Sequence, residues 1–319
     1  MSRRGLVAEA DRESPPTSAR YRGDQLPSKG WKSTRGLSTA LFTLALGAGL
    51  VALLGPLVGD VIRYHVSPGA SNQIVGGDIA GLLLVAPTAV IAAFLVIRGH
   101  RAGPVLALGP ALYGLYMYSQ LALGGDILRW PGNSERFFPL FLGLFVICGF
   151  VAVRAWREIA RSELPTIGGR LDRALGTFLL VVATFLTVGL HLPGLVDAWQ
   201  AQPVGAEYLA DPGVFWLVKF MDLGLVVPGL VVVGVALLRG RVWDRRLRYA
   251  AASWAALLGS SVAGMAAVMQ LRGDPGASGA NTTAFGVFAL IALTMAWLIH
   301  RPLFANSERR LDHRGHESA

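Results

Sequence analysis

KFMDLGLVVPGLVVVGVALLR, residues 219–239, is the stretch that decides the fold class. Between its two basic ends it holds one ionisable residue, Asp222. Twenty residues of α-helix rise about 30 Å, which matches the hydrocarbon core of a bilayer. An apolar run of this length that stops at an Arg-Gly pair is typical of a transmembrane helix. The stretch therefore predicts a spanning helix with an acid inside the membrane.

Seven further apolar stretches share this pattern, in a chain that is 53% hydrophobic and 15% charged with a mean hydropathy of +0.50. A soluble domain carries about 25% charged residues. The eight predicted spans are Leu37–Leu57, Asp78–Ile97, Pro104–Leu123, Phe137–Val153, Ala174–Leu192, Phe215–Leu238, Ala250–Leu271 and Thr283–Ile299. Strand-like alternation is absent, so the predicted fold class is all-α, a polytopic membrane bundle of about eight transmembrane helices.

Basic residues predict how the bundle lies in the membrane. With the N-terminus inside, 24 of the 29 Lys and Arg residues fall in inner segments and four fall in outer loops; the last, Lys219, lies in the sixth span. Membrane proteins retain positive charge on the cytoplasmic side. We therefore expect a multi-pass protein of the cytoplasmic (plasma) membrane with both termini in the cytoplasm.

The two ends of the chain are polar and basic. Residues 1–36 predict a disordered cytoplasmic tail, residues 37–300 the eight-helix transmembrane domain, and residues 301–319 a second cytoplasmic tail. The first tail is too long and too polar for the start of a signal peptide. The net charge of +9 lies at the ends of the apolar stretches and not on an aromatic-basic face. The expected partner is therefore the lipid bilayer, and not nucleic acid.

The second and sixth spans resemble each other, since Asp78–His100 aligns without gaps to Lys219–Arg241. Seven of 23 positions are identical, including a mid-helix proline that stands eleven residues before an Arg-Gly pair. Matched pairs near the ends of the first and fifth spans are Pro56 with Pro193 and Asp60 with Asp197. We therefore expect a 4+4 parallel internal repeat, with halves at about 37–153 and 174–299 related by an axis along the membrane normal.

Short motifs carry a resemblance to a known family. Met221–Pro228, with its D-x-x-x-x-x-P spacing, resembles the hallmark of a family of uncharacterised bacterial multi-pass membrane proteins, and so does Gly77–Ala80 with Pro87 nine residues after its acid. Tyr116–Tyr118 is similar to that family's Y-x-Y run, with Met117 where the family usually has Asn. The resemblance covers about residues 37–300. It implies the bundle and the repeat, and it implies no activity.

Charged side chains inside a span are costly, by about 2.5–3.5 kcal/mol at the centre on insertion scales. Asp222 is predicted roughly one helical turn below the outer surface, and Lys219 lies three residues earlier on the same helix face. The repeat places Asp78 at the position equivalent to Lys219. We expect the three to form one charged cluster that faces the bundle interior at its outer mouth. Three interpretations of these residues are open. They form an ion pair that joins two helices, they form a site for a small molecule or ion, or one of them lies in a water-exposed loop.

Tyrosines fill the outer half of the third span, at positions 113, 116 and 118. An interfacial aromatic belt is the simplest interpretation. If Tyr116 faces inward instead, it lines a pocket beside Asp222. The candidate ligand-binding residues are therefore Asp78, Tyr116, Lys219 and Asp222.

Two histidines, His65 and His191, are predicted near the outer surface at the ends of the first and fifth spans. With Asp60 and Asp197 they offer a two-His, two-carboxylate set for a metal ion, but no tight ligand spacing accompanies them. Two interfacial histidines are the simpler interpretation, so we predict no metal site. The cofactor is unknown, because no Walker loop, Gly-x-Ser-x-Gly elbow or His-Glu-x-x-His motif is present.

Three classes of function stay open. The first is a carrier or sensor that handles a small molecule or ion at an outward-facing site between two pseudo-symmetric halves. The second is an intramembrane enzyme that uses Asp222 or Asp78 as acid or base. The third is a structural or accessory subunit. A polar cavity in the bundle favours the first, an acid beside a nucleophile or metal the second, and a dry, packed interior the third.

Overall fold

The computed structural model describes residues 29–159, 164–165, 167–240 and 245–305, and within these ranges it contains helices and no strand. The eight long helices are α1 Lys29–Leu54, α2 Pro68–Ile97, α3 Ala102–Leu123, α4 Phe138–Ile159, α5 Gly169–Ala198, α6 Pro212–Leu238, α7 Arg246–Leu271 and α8 Gly279–His300. The short helix Ala206–Ala210 precedes α6, and the 3-10 turn Ser134–Phe137 leads into α4.

Seven of these helices are long and apolar enough to cross a membrane. The other long helix, α3, has 22 residues, and its glycines, prolines and tyrosines lower its mean hydropathy. It packs between α2, α4 and α7, so its surface meets protein on several sides. The predicted all-α polytopic membrane bundle is confirmed.

Several predicted boundaries shift, and the starts of α1 and α2 shift most. Helix α1 begins at Lys29, so the end of the predicted tail 1–36 is helical, while residues 1–28 and 306–319 lie outside the described residues. Helix α2 begins at Pro68, ten residues before its predicted start, because Ser67 accepts a hydrogen bond from the amide of Ala70 and proline suits the first helical position. Asp78 therefore lies inside α2 and not at its end.

Three helices contain a π-helical turn, and each turn ends two residues before a proline. The turns are Gly81–Val85 before Pro87 in α2, Phe185–His191 before Pro193 in α5, and Asp222–Val226 before Pro228 in α6. Proline lacks an N–H and its ring clashes with the carbonyl four residues earlier. A wider turn relieves this clash without ending the helix. The prolines thus explain where the helices are irregular.

Local features of α2 and α6 agree with the predicted repeat. The sequence alignment superimposes their π turns residue for residue, and both helices are followed two residues later by a glycine with positive φ, 65° at Gly99 and 61° at Gly240. The matches outside these helices agree less well, since Pro56 lies in the turn after α1 whereas Pro193 lies inside α5.

Packing differs between the two halves. Helices α1 to α4 pack against one another as one group. In the second half, α5 packs against α6 and α7 packs against α8, but α6 contacts α7 at only a few residues. Helix α7 packs against α2 and α3 of the first half. The 4+4 repeat stays a prediction. Loops 55–67, 124–133, 199–211 and 272–278 form the end of the bundle that we call the predicted outer end.

Candidate functional site

Asp222 joins three helices inside the bundle. It is the first residue of the π turn of α6 and is 8% exposed. The hydroxyl of Tyr116, on α3, donates to its Oδ1 at 2.5 Å. The ring Nε2 of His191, on α5, lies 2.8 Å from its Oδ2. Because a carboxylate only accepts, this second hydrogen bond requires the proton on Nε2.

The π turns explain why these groups meet. His191 closes the π turn of α5 and Asp222 opens the π turn of α6, so both lie where the backbone winding changes. His191 is 2% exposed, and its second ring nitrogen has no hydrogen-bond partner among the described residues. Single π turns inside α-helices are frequent at functional sites.

Lys219 does not pair with Asp222, and the predicted pair is wrong. Its ammonium group is 3.2 Å from Oε2 of Glu207 and 3.7 Å from the ring centre of Phe215. Lys219 lies in the α-helical turn before the π turn and reaches the short helix that carries Glu207. Asp222 faces α3 and α5 instead, so the two charges have separate partners.

Asp78 does not join the cluster either, so the prediction of one shared charged cluster is wrong. It has no ion pair among the described residues, and its Oδ2 has no hydrogen-bond partner there. All three side chains are buried, as predicted, with exposures of 7% for Asp78, 4% for Lys219 and 8% for Asp222. Their role in ligand binding stays a prediction.

The tyrosines of α3 point into the protein. Tyr113 and Tyr118 are each 4% exposed. The Tyr113 hydroxyl lies 3.4 Å from the carbonyl oxygen of Gly77 and 3.2 Å from Oγ of Ser261. Tyr116 contacts Asp222. The aromatic-belt interpretation is therefore wrong for these residues, and the alternative, an inward-facing Tyr116, is the observed one.

The two predicted interfacial histidines have separate partners. Nδ1 of His65 lies 2.7 Å from the carbonyl oxygen of Trp130 and Nε2 lies 2.6 Å from Glu135, whereas His191 contacts Asp222. Within the described part of the chain, no group of three or more His, Cys, Asp or Glu side chains is placed to hold a metal ion.

Hydrogen bonds fasten the loops at the predicted outer end. The amide of Ser67 donates to both carboxylate oxygens of Asp211, which is 4% exposed. Burial lowers the pKa of His65, but its hydrogen bonds to the Trp130 carbonyl and the Glu135 carboxylate outweigh burial and raise that pKa above its ordinary value. These contacts order the rim of the bundle.

A cavity of about 80 Å³ lies at this end between α2, α3, α6 and α7. Its walls include Gln73, Met117, Gln120, Leu217, Val218 and Met265. Two polar atoms of the lining, Nε2 of Gln120 and the hydroxyl of Tyr64, have no hydrogen-bond partner among the described residues. Typical sites for drug-sized ligands measure about 300–1,000 Å³. This cavity therefore suits an ion or a very small solute.

Three residues of the site were outside the predicted set. His191 had a usable signal, because it stands two residues before a mid-span proline, at the position where each of the three π turns ends. Gln120 had one as well, since it follows Tyr116 by one helical turn. Glu207 had none, because its contact with Lys219 depends on the fold of the preceding loop.

No protein-family model, curated protein or solved structure matches the chain. The candidate site therefore rests on the geometry of its own residues, and the resemblance to uncharacterised bacterial membrane proteins stays a prediction.

Proposed function

We propose that the protein is a carrier or sensor that handles a small molecule or ion at an outward-facing site between its two halves. The bundle would lie in the cytoplasmic (plasma) membrane with both termini in the cytoplasm. The single observation that supports this function most is the buried network of Asp222, Tyr116 and His191, one helical turn along α3 from a mainly apolar cavity whose lining includes the polar side chains of Gln73 and Gln120.

The network is costly for a role that is only structural. Well-packed apolar side chains often stabilise a buried position as well as an ion pair does, and charged groups inside a membrane bundle commonly mark pathways for solutes or protons. Asp222 lies in a helix that already has an apolar surface for packing. An acid retained at such a position favours function over packing.

The cavity supplies the contacts for a ligand. An unpartnered buried polar atom loses its hydrogen bonds to water, at a cost of about 1–3 kcal/mol. The amide nitrogen of Gln120 and the hydroxyl of Tyr64 can both donate, so a ligand with acceptor atoms offsets that cost. The preferred ligand is therefore a small ion or solute that carries oxygen or another acceptor.

The cavity and the network are linked through α3. Gln120 lines the cavity and Tyr116, four residues earlier, donates to Asp222. A ligand that moves Gln120 therefore acts on the turn that holds the hydroxyl of Tyr116. The two π turns beside Asp222 lack the regular hydrogen-bond ladder of an α-helix, which makes them suitable positions for bending.

The alternatives have weaker support. An intramembrane enzyme would place an imidazole between an acid and a nucleophile, whereas here the carboxylate of Asp222 stands between His191 and Tyr116. An accessory subunit needs no cavity with unpartnered polar atoms. Both classes stay open to the experiment below.

Thiol accessibility tests the proposal. Leu217→Cys places a thiol in the cavity wall, and Leu225→Cys places one on an exposed, lipid-facing position of the same helix. The native Cys148 is buried and serves as an unreactive background. A charged, membrane-impermeant methanethiosulfonate added outside intact cells should modify Leu217→Cys at least about tenfold faster than Leu225→Cys, because thiols react as thiolates in water.

Protection then identifies ligands. Salts of small anions and cations, acetate, urea and glycine are added singly, and a solute that binds in the cavity should slow modification of Leu217→Cys. The same solute should protect less when Gln120→Leu is also present. Equal and slow modification at both positions would show that the cavity is closed to water from outside, and would favour the accessory role.

A further inference from the structure

We propose that Asp78 is a proton-binding site inside the first half of the bundle, distinct from the cavity between the halves and from the Asp222 network. Its carboxylate takes up one proton from water and holds it as a neutral carboxylic acid at neutral pH. This inference does not depend on the proposed carrier or sensor function.

The surroundings of Asp78 provide few polar contacts. The side chain lines a small cavity of about 20 Å³, which is walled by Val51, Ile74, Met117 and Leu121 together with Tyr113 and Tyr118. It is 7% exposed, and its Oδ2 has no hydrogen-bond partner among the described residues. The carboxyl group is therefore buried and lies beside a space of about the size of one water molecule.

Gly55 makes room for the carboxyl group at the end of α1. A Cβ atom at residue 55 would lie 2.9 Å from Oδ2 of Asp78. Any larger residue at position 55 would push the acid away from its present place. The acid is thus accommodated by the absence of a side chain at Gly55, and no described residue forms a hydrogen bond or ion pair with its Oδ2.

Among the described residues, no positive charge forms an ion pair with this acid. The titratable side chains that share its surroundings are phenols: Tyr113 and Tyr118 from α3, which line the same cavity, and Tyr64 from the loop after α1. Helix α7 contributes the hydroxyl of Ser261, which contacts Tyr113. In the part of the chain that the structure describes, no Lys, Arg or His lies within ion-pair distance of Asp78.

Burial without a counter-charge decides between the two forms of the acid. Moving an ionised carboxylate into apolar surroundings is so costly that the group binds a proton instead, whereas the neutral acid loses far less. A bound metal cation is the other way to neutralise it. Hard divalent cations take about six oxygen ligands, and a cavity of one carboxylate and two phenols has room for little more than one water molecule. The proton therefore fits the site best.

Infrared spectroscopy of the full-length protein in phosphatidylcholine vesicles tests the proposal. At neutral pH the wild type should show the C=O stretch of a protonated carboxylic acid, identified by its shift in heavy water. Asp78→Asn should remove this band, and Asp78→Glu should retain it at a shifted position. Asp222→Asn is the matched control and should leave the band in place.

Three results would overturn the proposal. They are a wild-type spectrum without the band, a band of unchanged intensity in Asp78→Asn, and a band that disappears when sodium or potassium ions are added at constant pH. If the Asp78→Asn variant does not fold, the wild-type protein is treated with an apolar carbodiimide instead, because this reagent reacts with protonated carboxyl groups. Mass spectrometry should then find the adduct of the wild type on Asp78, and an adduct only on other acids would contradict the assignment.

Discussion

The π turns of α2 and α6 share one backbone design but hold their acids in opposite ways. In α6 the acid opens the turn and is bonded to Tyr116 and His191. In α2 the same backbone position is Gly81, and the acid lies one turn earlier, at Asp78, without an ion-pair partner among the described residues. A shared π turn therefore does not determine whether the acid at that turn has a partner. The helices that pack around the turn decide whether its acid is paired.

The packing around the two turns explains this difference. Helix α2 lies so close to α7 that a Cβ at Gly76 would come within 2.4 Å of the backbone of Met265. Helix α6 stands further from α3 at the predicted outer end, and the cavity of about 80 Å³ fills the gap. The first half leaves only a cavity of about 20 Å³ beside its acid, whereas the larger cavity between α2, α3, α6 and α7 lies one helical turn from Asp222.

One large effect is expected at the close contact between α2 and α7. Gly76→Ala should destabilise the protein by about 3 kcal/mol, because the added methyl group meets backbone that cannot rotate away. Gly81→Ala, in the same helix, meets open space and should cost nothing or stabilise by up to about 1 kcal/mol. The reaction of buried Cys148 with a thiol-reactive dye during heating measures both. Equal melting temperatures would show that the two helices are not in close contact.

Replacing Asp222 or Asp78 with alanine should lower the free energy of unfolding by unequal amounts. Asp222→Ala leaves Tyr116 and His191 without their acceptor and should cost about 3–5 kcal/mol, the range for breaking a buried pair. Asp78→Ala removes no ion pair and should cost about 1 kcal/mol or less. The same thermal assay compares them. If Asp78→Ala is the more damaging change, the contrast between the two turns is wrong.

A smaller effect separates Lys219 from Asp222. Lys219→Met removes a contact with Glu207, whose side chain is 58% exposed, and should cost about 1 kcal/mol or less. Adding it to Asp222→Ala should leave the protein no more stable than Asp222→Ala alone. A double variant that is clearly more stable than Asp222→Ala would restore the Lys219–Asp222 pair that the sequence predicted.

Apolar run length predicted the helices well, because a spanning helix must be both long and apolar. It placed the start of α2 ten residues too late, since the helix continues into polar residues such as Asn72 and Gln73 beyond the membrane core. Helix capping at Ser67, and not hydropathy, sets that boundary.

The candidate site was predicted in part. The contact of Tyr116 with Asp222 followed from one of two stated interpretations, because an inward-facing tyrosine on α3 reaches the acid. The partner of Lys219 could not be predicted, since Glu207 belongs to a loop whose path depends on the whole rim. Helical spacing alone placed Lys219 beside Asp222, but spacing does not show which neighbours compete for each charge.

The smallest expected effect is a pH dependence at the rim of the first half. The pKa of His65 is raised in the folded protein, so its contribution is full below its ordinary pKa of about 6.5 and is lost as the pH rises through the folded value. Since Glu135 is half exposed, His65→Asn should cost at most about 1 kcal/mol at acidic pH and less at alkaline pH. Glu135→Gln should flatten this profile. A loss of stability in His65→Asn that grows as the pH rises would contradict this prediction.

The hydrogen bond between His191 and Asp222 can be observed directly by solid-state nitrogen NMR of histidine-labelled protein in bilayers. His191→Asn identifies the ring signals of His191. We predict that Asp222→Asn shifts these signals, because Nε2 loses its carboxylate acceptor, and that Asp78→Asn leaves them in place. Signals of His191 that stay unchanged in Asp222→Asn, or that move in Asp78→Asn instead, would contradict the paired acid in α6 and the separate acid in α2.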